Sequence, residues 1–189
     1  MLVLGIDPGT ANTGYGVVRG GAGTSPSLVE CGVIRTRARD ALPVRLREIY
    51  DGVVELIDRH SPDALCVEGV FYARNVRTTV VLGHARGVIL LAAEQKGVPV
   101  NELAPAEIKK AVVGTGAASK EQVQFMLTKL LRLKSVPQPA DAADGVAAAL
   151  ACVMSAGVPR MDGFGMIREP SRGVGTKALL SPSSATRRT

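Results

Sequence analysis

Short apolar runs separated by turn residues open the chain. Residues 2–6, 15–18 and 28–34 have the length and the flanking residues of strands. Residues 8–14 form a turn-rich connection, and the Gly-rich stretch GGAGTSPS leads into the third run. Closely spaced strands with turn residues between them predict an antiparallel meander.

The next segments alternate between helical and strand patterns. Residues 43–60 place apolar side chains at helical spacing, and the short apolar run 64–67 predicts a buried strand. Residues 76–96 predict a long helix that is apolar around most of its circumference as far as residue 93. Such a helix is usually covered on more than one side, so we expect the core on one face and a second subunit on the other.

The remaining pattern adds one strand and three helices. Residues 99–103 predict a last strand, which is followed by a helix that starts at Pro105. Ser119 is a favourable N-cap for a helix over 120–133, and residues 140–156 predict an alanine-rich helix. Together these elements predict an α/β fold, in which a mixed sheet, an antiparallel meander plus parallel strands, is flanked by helices.

Length and composition indicate one folded domain with a basic tail. A length of 189 residues fits a single domain, which we place at residues 1–156, and 46% hydrophobic residues are enough for a sizeable core. Residues 157–189 are rich in Gly, Ser and Pro, and we expect them to be disordered. The tail contains six basic and two acidic residues, against 17 and 15 in the rest of the chain. A nucleic-acid surface on the folded domain must therefore be a local patch.

The sequence favours a cytoplasmic protein that does not contact a membrane. No stretch reaches the roughly 18 uninterrupted apolar residues of a membrane span, and Asp7 interrupts the apolar run at the N-terminus. Cys31, Cys66 and Cys152 are scattered without C-x-x-C spacing, so we expect reduced, buried thiols.

Four carboxylates lie where the predicted elements bring sites together. Asp7 ends the first strand, Glu68 ends the fourth, and Asp141 and Asp144 lie three residues apart at the start of the last helix. Taken singly, each carboxylate has an ordinary explanation. Asp7 could be a turn residue, and Glu68 could belong to an ion pair. Asp141 and Asp144 could simply stabilise the N-terminus of a helix through its dipole. If all four converge, a cation must neutralise them, and oxygen ligands favour Mg²⁺ or Mn²⁺. Two ions about 3.5–4 Å apart would suit phosphodiester cleavage.

Aromatic and basic side chains near these carboxylates are candidates for DNA contacts. The segment FYARNVR follows Glu68 closely, and aromatic residues stack on bases while arginine holds phosphate. One of its aromatic residues is equally well explained as a core anchor. Three lysines flank the VVGTG break, either as a phosphate-contacting cluster or as a solvated face. The candidates are Phe71, Tyr72, Arg74, Arg77, Lys109, Lys110 and Lys120.

Four motifs resemble the RuvC family of Holliday junction resolvases. They are GIDPGTANTGYGVV, VEGVFYARN, VVGTGAASKEQVQ and ADAAD, and the resemblance extends over about residues 1–156 in the same order and spacing. It implies a ribonuclease-H-like fold, a homodimer and symmetric hydrolysis of two opposed phosphodiesters at a four-way DNA junction, leaving 5′-phosphates and 3′-hydroxyls. By resemblance only, it also implies a RuvA–RuvB branch-migration partner.

The resemblance also assigns expected roles to individual residues. The family's four acidic metal ligands match Asp7, Glu68, Asp141 and Asp144. One ion is then expected to activate a water molecule for in-line attack, while the other stabilises the departing 3′-oxygen. Lys109 and Lys120 match lysines near the scissile phosphate and the junction backbone, and Phe71 matches an aromatic residue at the junction centre. Gly145 departs from the family pattern, where a larger residue such as alanine is expected; glycine weakens a helix by about 1 kcal/mol.

Two other readings compete with a resolvase. An actin-like or sugar-kinase-like ATPase also starts with a strand, an aspartate and Gly-Thr, but it needs a second domain and a second phosphate loop. A junction-binding module without catalysis, or a small YqgF-type nuclease, shares part of the pattern. The complete acidic set argues against an inactive site, and the lysine-bearing stretch 98–133 resembles RuvC more than its shorter relatives.

Overall fold

A five-stranded mixed sheet organises the part of the chain that the structure describes. The computed structural model describes residues 1–21, 23–69 and 76–155, with only the backbone of residues 76 and 77. The strands are β1 (Leu2–Asp7), β2 (Asn12–Gly21), β3 (Thr24–Arg35), β4 (Ala64–Glu68) and β5 (Val100–Leu103). The helices are α1 (Leu42–His60), α2 (Val76–Gln95), α3 (Pro105–Val113), α4 (Lys120–Leu130) and α5 (Ala140–Ser155).

The strand order confirms the predicted mixed sheet. The strands lie in the order β3-β2-β1-β4-β5, in which β1, β2 and β3 form an antiparallel meander. The strands β4 and β5 then run parallel to β1. A crossover through α2 connects β4 to β5, as parallel neighbours require.

Each face of the sheet carries its own hydrophobic core. On one face α1 and α2 pack on the sheet through large aliphatic side chains such as Ile49, Leu56 and Ile89. On the other face lie α3, α4 and α5, and α5 contributes mostly alanines. Among the described helices, none is both long and apolar enough to cross a membrane.

The hairpin formed by β2 and β3 is longer than the apolar pattern predicted. The strand β2 already begins at Asn12, and most of the GGAGTSPS stretch belongs to the hairpin, since Gly21 pairs with Thr24. Gly21 and Gly23 have φ angles of 149° and 76°, which side-chain-bearing residues rarely adopt. Strand pairing depends on backbone hydrogen bonds, so it extends beyond the residues whose side chains alternate.

The other boundaries follow the sequence within a few residues. Ser119 caps α4 as predicted: its hydroxyl accepts a hydrogen bond from the Gln122 N–H at 3.3 Å, and the Gln122 side chain accepts one from the Ser119 N–H at 2.8 Å. The helix α4 ends at Leu130, three residues before its predicted end. Cys66 and Cys152 are buried thiols, whereas Cys31 is half-buried. The predicted tail, 157–189, lies outside the described residues.

Candidate metal centre

Asp7 and Glu68 end two neighbouring parallel strands. Ile6 of β1 pairs with Val67 of β4, so the next residue of each strand lies at the same edge of the sheet. Side chains alternate between faces along a strand. Asp7 therefore shares the face of Val3 and Gly5, on which α5 packs, and Glu68 shares the face of Cys66. The predicted meeting of these two carboxylates at one edge is confirmed.

The helix α5 brings the other two carboxylates to this edge by packing closely on β1 and β2. A Cβ atom on Gly5 would lie 2.3 Å from the backbone N of Ala149, and one on Gly14 would lie 1.8 Å from the carbonyl oxygen of Asp141. Because these positions are glycine, the helix backbone rests directly on the strands. The first turns of α5, with Asp141 and Asp144, are thereby held beside Asp7.

Three of the four predicted carboxylates form a tight group. One carboxylate oxygen from each of Asp7, Asp141 and Asp144 lies within 4.8 Å of the others. Glu68 is not a member of this group, but it lines the same cavity of about 220 Å³ together with Asp7 and Asp144. The donor set consists of carboxylate oxygens only, which are the ligands that hard divalent cations such as Mg²⁺ prefer.

The clustering has a clear electrostatic cost. Burial, followed by the charges of Glu68, Asp144 and Asp141, raises the pKa of Asp7 from its ordinary 3.8 to about 7. Burial and the Asp144 charge also raise the pKa of Glu68. Carboxyl groups that resist ionisation in this way are stabilised in their charged form by a bound cation. The electrostatics thus fit a metal centre better than a structural cluster.

Two of the predicted lysines reach this cavity. Lys120 is the first residue of α4, where the Ser119 cap places it, and its Nζ donates a hydrogen bond to Asp144 at 2.7 Å. This bond is the main reason why the pKa of Lys120 is raised. Lys109 of α3 also lines the cavity, whereas Lys110, the next residue, is exposed and does not line it.

The predicted aromatic loop cannot be placed against this site. Phe71, Tyr72 and Arg74 lie outside the described residues. Arg77 belongs to the first turn of α2, and its side chain also lies outside what the structure describes. Their predicted contacts with DNA stay predictions.

Sequence reasoning missed how the loop after Asp7 is held. The Thr13 hydroxyl, which is fully buried, donates to the carbonyl of Gly9 at 2.6 Å. The Thr36 hydroxyl donates to the carbonyl of Thr10 at 2.5 Å, and the Thr36 N–H donates to the carbonyl of Ala11 at 3.0 Å. Three consecutive carbonyl groups of the loop are thus bound. The small hydroxyl residues after Asp7 were the available signal, but their partner at position 36 is distant in sequence.

Gly145 has a packing role that the family pattern did not suggest. A Cβ atom at this position would lie 2.6 Å from Cα of Tyr15 in β2. The glycine between Asp144 and Val146 therefore allows the helix to approach the strand at the level of the carboxylates. The expected loss of helix propensity is offset by this close approach.

A second cavity, of about 530 Å³, lies at the opposite end of the sheet. Its lining includes Arg19, His60 and Asp63. Arg19 pairs with Leu2 at the start of β1, so this cavity is a strand length away from Asp7. No group of three potential metal ligands among the described residues lies there. Cavity size alone is a poorer guide to the site than the converging carboxylates.

Comparison with known proteins gives a consistent result. The family model described as "Crossover junction endodeoxyribonuclease RuvC" matches residues 3–152. A protein of that name from Parafrankia sp. (strain EAN1pec) is 51% identical over 150 residues, which cover 79% of this chain and 84% of that protein. Another, from Pelotomaculum thermopropionicum, is 49% identical and covers 79% of this chain and 91% of that protein.

Solved structures agree with the sequence relatives. The structure of T. thermophilus RuvC in complex with a Holliday junction substrate has a TM-score of 0.79 and 36% sequence identity, and the match covers 82% of this chain and 94% of that chain. The yeast mitochondrial Holliday junction resolvase Ydc2 has a TM-score of 0.60 at 14% identity, covering 80% of this chain and 78% of that one. The latter likeness shows the fold alone.

Proposed function

The chain belongs to the RuvC family of crossover junction endodeoxyribonucleases, and on this premise we propose that its four acidic residues bind two divalent metal ions that serve DNA hydrolysis. The proposed ligands are Asp7, Glu68, Asp141 and Asp144, and the proposed ion is Mg²⁺ or Mn²⁺. The single observation that carries this proposal is the approach of the carboxylate oxygens of Asp7, Asp141 and Asp144 to within 4.8 Å of one another. Mutual repulsion makes such a group costly without a cation.

The proposed reaction is hydrolysis of a phosphodiester in each of two opposed strands of a four-way DNA junction, leaving 5′-phosphate and 3′-hydroxyl ends. Bound divalent ions would activate the attacking water and stabilise the departing oxygen. The chain's own contribution is orientation: Asp7 and Glu68 end strands of the sheet, while Asp141 and Asp144 lie on a helix that packs directly on that sheet. Rigid elements hold such groups more precisely than loops do.

The lysines would hold the DNA backbone beside the carboxylates. Lys109 and Lys120 line the same cavity as Asp7, so a phosphate bound there lies within reach of both. The ammonium group of Lys120 donates a hydrogen bond to Asp144. Once cations neutralise the carboxylates, this ammonium group can bind a DNA phosphate instead. For Lys110, Phe71, Tyr72, Arg74 and Arg77, the proposed DNA contacts rest on the sequence pattern.

We propose that α2 mediates a homodimer. Its buried side packs on the sheet through Ala85, Ile89 and Ala92. On the outer side Val80 and Leu91 are 53% and 49% exposed, and nothing lies within 4 Å of a Cβ atom built at Gly83 or at Gly87. A contiguous exposed stripe of apolar and small residues suits the close approach of a second helix. A two-fold dimer would present two identical sites to a junction that is itself nearly two-fold symmetric.

The cellular setting follows from the family resemblance. We propose that the protein acts in the cytoplasm in DNA recombination and repair. A branch-migration complex of the RuvA–RuvB type is the proposed partner that supplies the junction.

Cleavage of a synthetic four-way junction tests the proposal. Wild type, Asp7→Asn and the matched control Asp51→Asn are compared with Mg²⁺, Mn²⁺ or EDTA, with linear duplex as the control substrate. Asp51 lies on α1 and is exposed, so its substitution removes the same charge away from the site. We expect paired, metal-dependent nicks for wild type and Asp51→Asn, and a rate at least about 10³-fold lower for Asp7→Asn with junction binding retained.

Two results would contradict the proposal. Junction binding without cleavage under any metal would indicate a non-catalytic binding module. ATP hydrolysis without junction binding would favour an actin-like ATPase.

A further inference from the structure

Three exposed arginines lie around the connection between β3 and α1, and neither the metal centre nor the predicted DNA contacts include them. Arg35 is the last residue of β3, and Arg37 and Arg39 follow in the connection, residues 36–41. All three are exposed, and none has an ion-pair partner among the residues that the structure describes. The same connection contains one acidic residue, Asp40, which is half-buried.

The fold places these arginines at the edge of the sheet where the carboxylates converge. Because β1, β2 and β3 form an antiparallel meander, β3 runs in the same direction as β1 and ends at the same edge. Asn12, at the start of β2, pairs with Arg35. Adjacent strands are about 4.8 Å apart, so Arg35 lies about 10 Å from β1, on the side of Asp7 opposite to Glu68.

The backbone that carries the arginines is firmly attached to the loop after Asp7. Thr36 binds the carbonyls of Thr10 and Ala11 through its hydroxyl and its N–H. The Nε of Arg45, in the first turn of α1, donates to the Thr36 hydroxyl at 2.9 Å. The Asp40 N–H donates to the carbonyl of Arg37 at 3.0 Å, which closes a turn. One arginine therefore fixes the connection, while the three neighbouring arginines extend into solvent from a defined backbone.

We propose that Arg35, Arg37 and Arg39 form a second phosphate-binding surface, which holds the duplex backbone of a junction arm on the β3 side of the carboxylates. The guanidinium group binds phosphate oxygens in a bidentate manner and keeps its charge at any physiological pH. Successive base pairs are about 3.4 Å apart along the duplex, so phosphates within a few base pairs of the cleaved bond lie within reach of this surface. This inference rests on the proposed function of the metal centre.

The lysines and the arginine surface would contact the DNA backbone on opposite sides of Asp7. Lys109 and Lys120 line the cavity that contains Glu68, whereas the arginine surface lies across Asp7, beyond β2. Phosphate contacts carry no sequence information but fix the register and orientation of the duplex. The arginine surface would therefore set which phosphodiester reaches the carboxylates, without reading a base.

Junction binding by charge-matched variants tests this surface. Arg37→Gln/Arg39→Gln is compared with Arg19→Gln/Lys96→Gln, which removes two positive charges from the opposite end of the sheet. Binding of a four-way junction is measured with Ca²⁺ in place of Mg²⁺ over a range of salt concentrations. We expect the first variant to bind about tenfold more weakly near 0.1 M salt, and its salt slope to fall by about one for each lost phosphate contact. The control variant is expected to bind within about twofold of wild type.

Neutral phosphate analogues locate the contact on the DNA. Methylphosphonate linkages, placed one at a time in a junction arm, are expected to weaken binding of wild type at one or more positions within a few base pairs of the cleaved bond. The same linkages should have no further effect on Arg37→Gln/Arg39→Gln, because the contact is already lost. Linkages elsewhere in the arm should affect both proteins equally.

The outcomes separate this inference from the proposed function. If wild type cleaves the junction but the two double variants bind it equally well, the arginine surface is overturned and the metal centre is not. Interference that persists unchanged in Arg37→Gln/Arg39→Gln also overturns the surface. If wild type neither binds nor cleaves a junction, the proposed function itself fails.

Discussion

The two faces of the sheet are packed by different means. On the face covered by α1 and α2, large aliphatic side chains such as Leu4, Ile49 and Leu65 fill the space between the layers. On the face covered by α5, Gly5 and Gly16 lie directly under the helix backbone, and the helix is rich in alanine. The first face is a conventional core. The second brings two backbones as close together as their atoms allow.

The two faces of the sheet contribute differently to the candidate metal centre. All four carboxylates of the candidate metal centre come from the closely packed side: Asp7 and Glu68 share the pleat face that α5 covers, and Asp141 and Asp144 lie on α5 itself. Aliphatic cores tolerate small shifts by repacking their side chains. Contacts between backbones cannot adapt in this way, so they hold the carboxylates at fixed separations. The aliphatic face contributes mainly stability, whereas the closely packed face also determines the geometry of the site.

Adding one methyl group to the closely packed face should have the largest effect. In Gly5→Ala, the new Cβ would lie 2.3 Å from the backbone of Gly145 and Ala149, neither of which can rotate away. We expect the free energy of unfolding to fall by about 4 kcal/mol. Junction cleavage should fall by about 100-fold, because α5 carries two carboxylates away from Asp7. Urea denaturation and a cleavage assay at low temperature measure both, and a loss below about 1 kcal/mol would contradict close packing.

Removing methyl groups from the aliphatic face should affect stability alone. Ile49 lies on α1 and is fully buried in the core of the sheet face that does not carry the carboxylates, so Ile49→Ala leaves a cavity on that other face. We expect the free energy of unfolding to fall by about 3 kcal/mol. The cleavage rate of the folded variant should stay within about twofold of wild type. A large change in rate at unchanged fold content would show that the two faces are not independent.

The carboxylate cluster should make stability fall as the pH rises. The pKa of Asp7 is about 7 in the folded protein against an ordinary 3.8, so between these values the folded state binds more protons than the unfolded state. Without metal, the free energy of unfolding contributed by Asp7 therefore falls between about pH 4 and pH 7.

Asp7→Asn removes this dependence. In EDTA at pH 8 we expect the variant to be roughly 2–4 kcal/mol more stable than wild type, and at pH 4 nearly equal to it. Urea unfolding at both pH values measures the difference, with Asp51→Asn as the control. Equal stability of wild type and Asp7→Asn at pH 8 would mean that the charge of Asp7 is not strained.

The smallest effect is expected at Gly145. In Gly145→Ala the new Cβ would lie 2.6 Å from Cα of Tyr15, but alanine favours a helix over glycine by about 1 kcal/mol. We expect a net loss of about 1 kcal/mol in the free energy of unfolding. The cleavage rate should also fall, because Asp144 is the adjacent residue and moves with the helix backbone. The fall should be larger than a loss of stability alone would cause. A variant that is more stable than wild type and equally active would show that α5 can retreat without cost.

The sequence by itself determined the elements and the identity of the acidic residues. Apolar spacing located the helices and strands of the described residues within a few positions, apart from the ends of the hairpin formed by β2 and β3. Two carboxylates were indicated by acidic residues at the ends of apolar strands, Asp7 and Glu68. The other two were indicated by the sequence DAADG at the start of α5. Their grouping was a hypothesis until the sheet order placed β1 beside β4. Their roles as metal ligands stay proposals.

Tertiary structure alone decided how closely the elements approach. Side-chain periodicity reports which residues are buried, and it carries no distance between a strand and a helix. Gly5, Gly14 and Gly16 have no side chain, so the sequence does not indicate what lies against them. The structure shows that the backbone of α5 fills the space where their side chains would be. The link between Thr36 and the loop after Asp7 is hidden for a related reason. A hydrogen bond between residues 26 positions apart depends on how the strands return to the same edge, which no local pattern encodes.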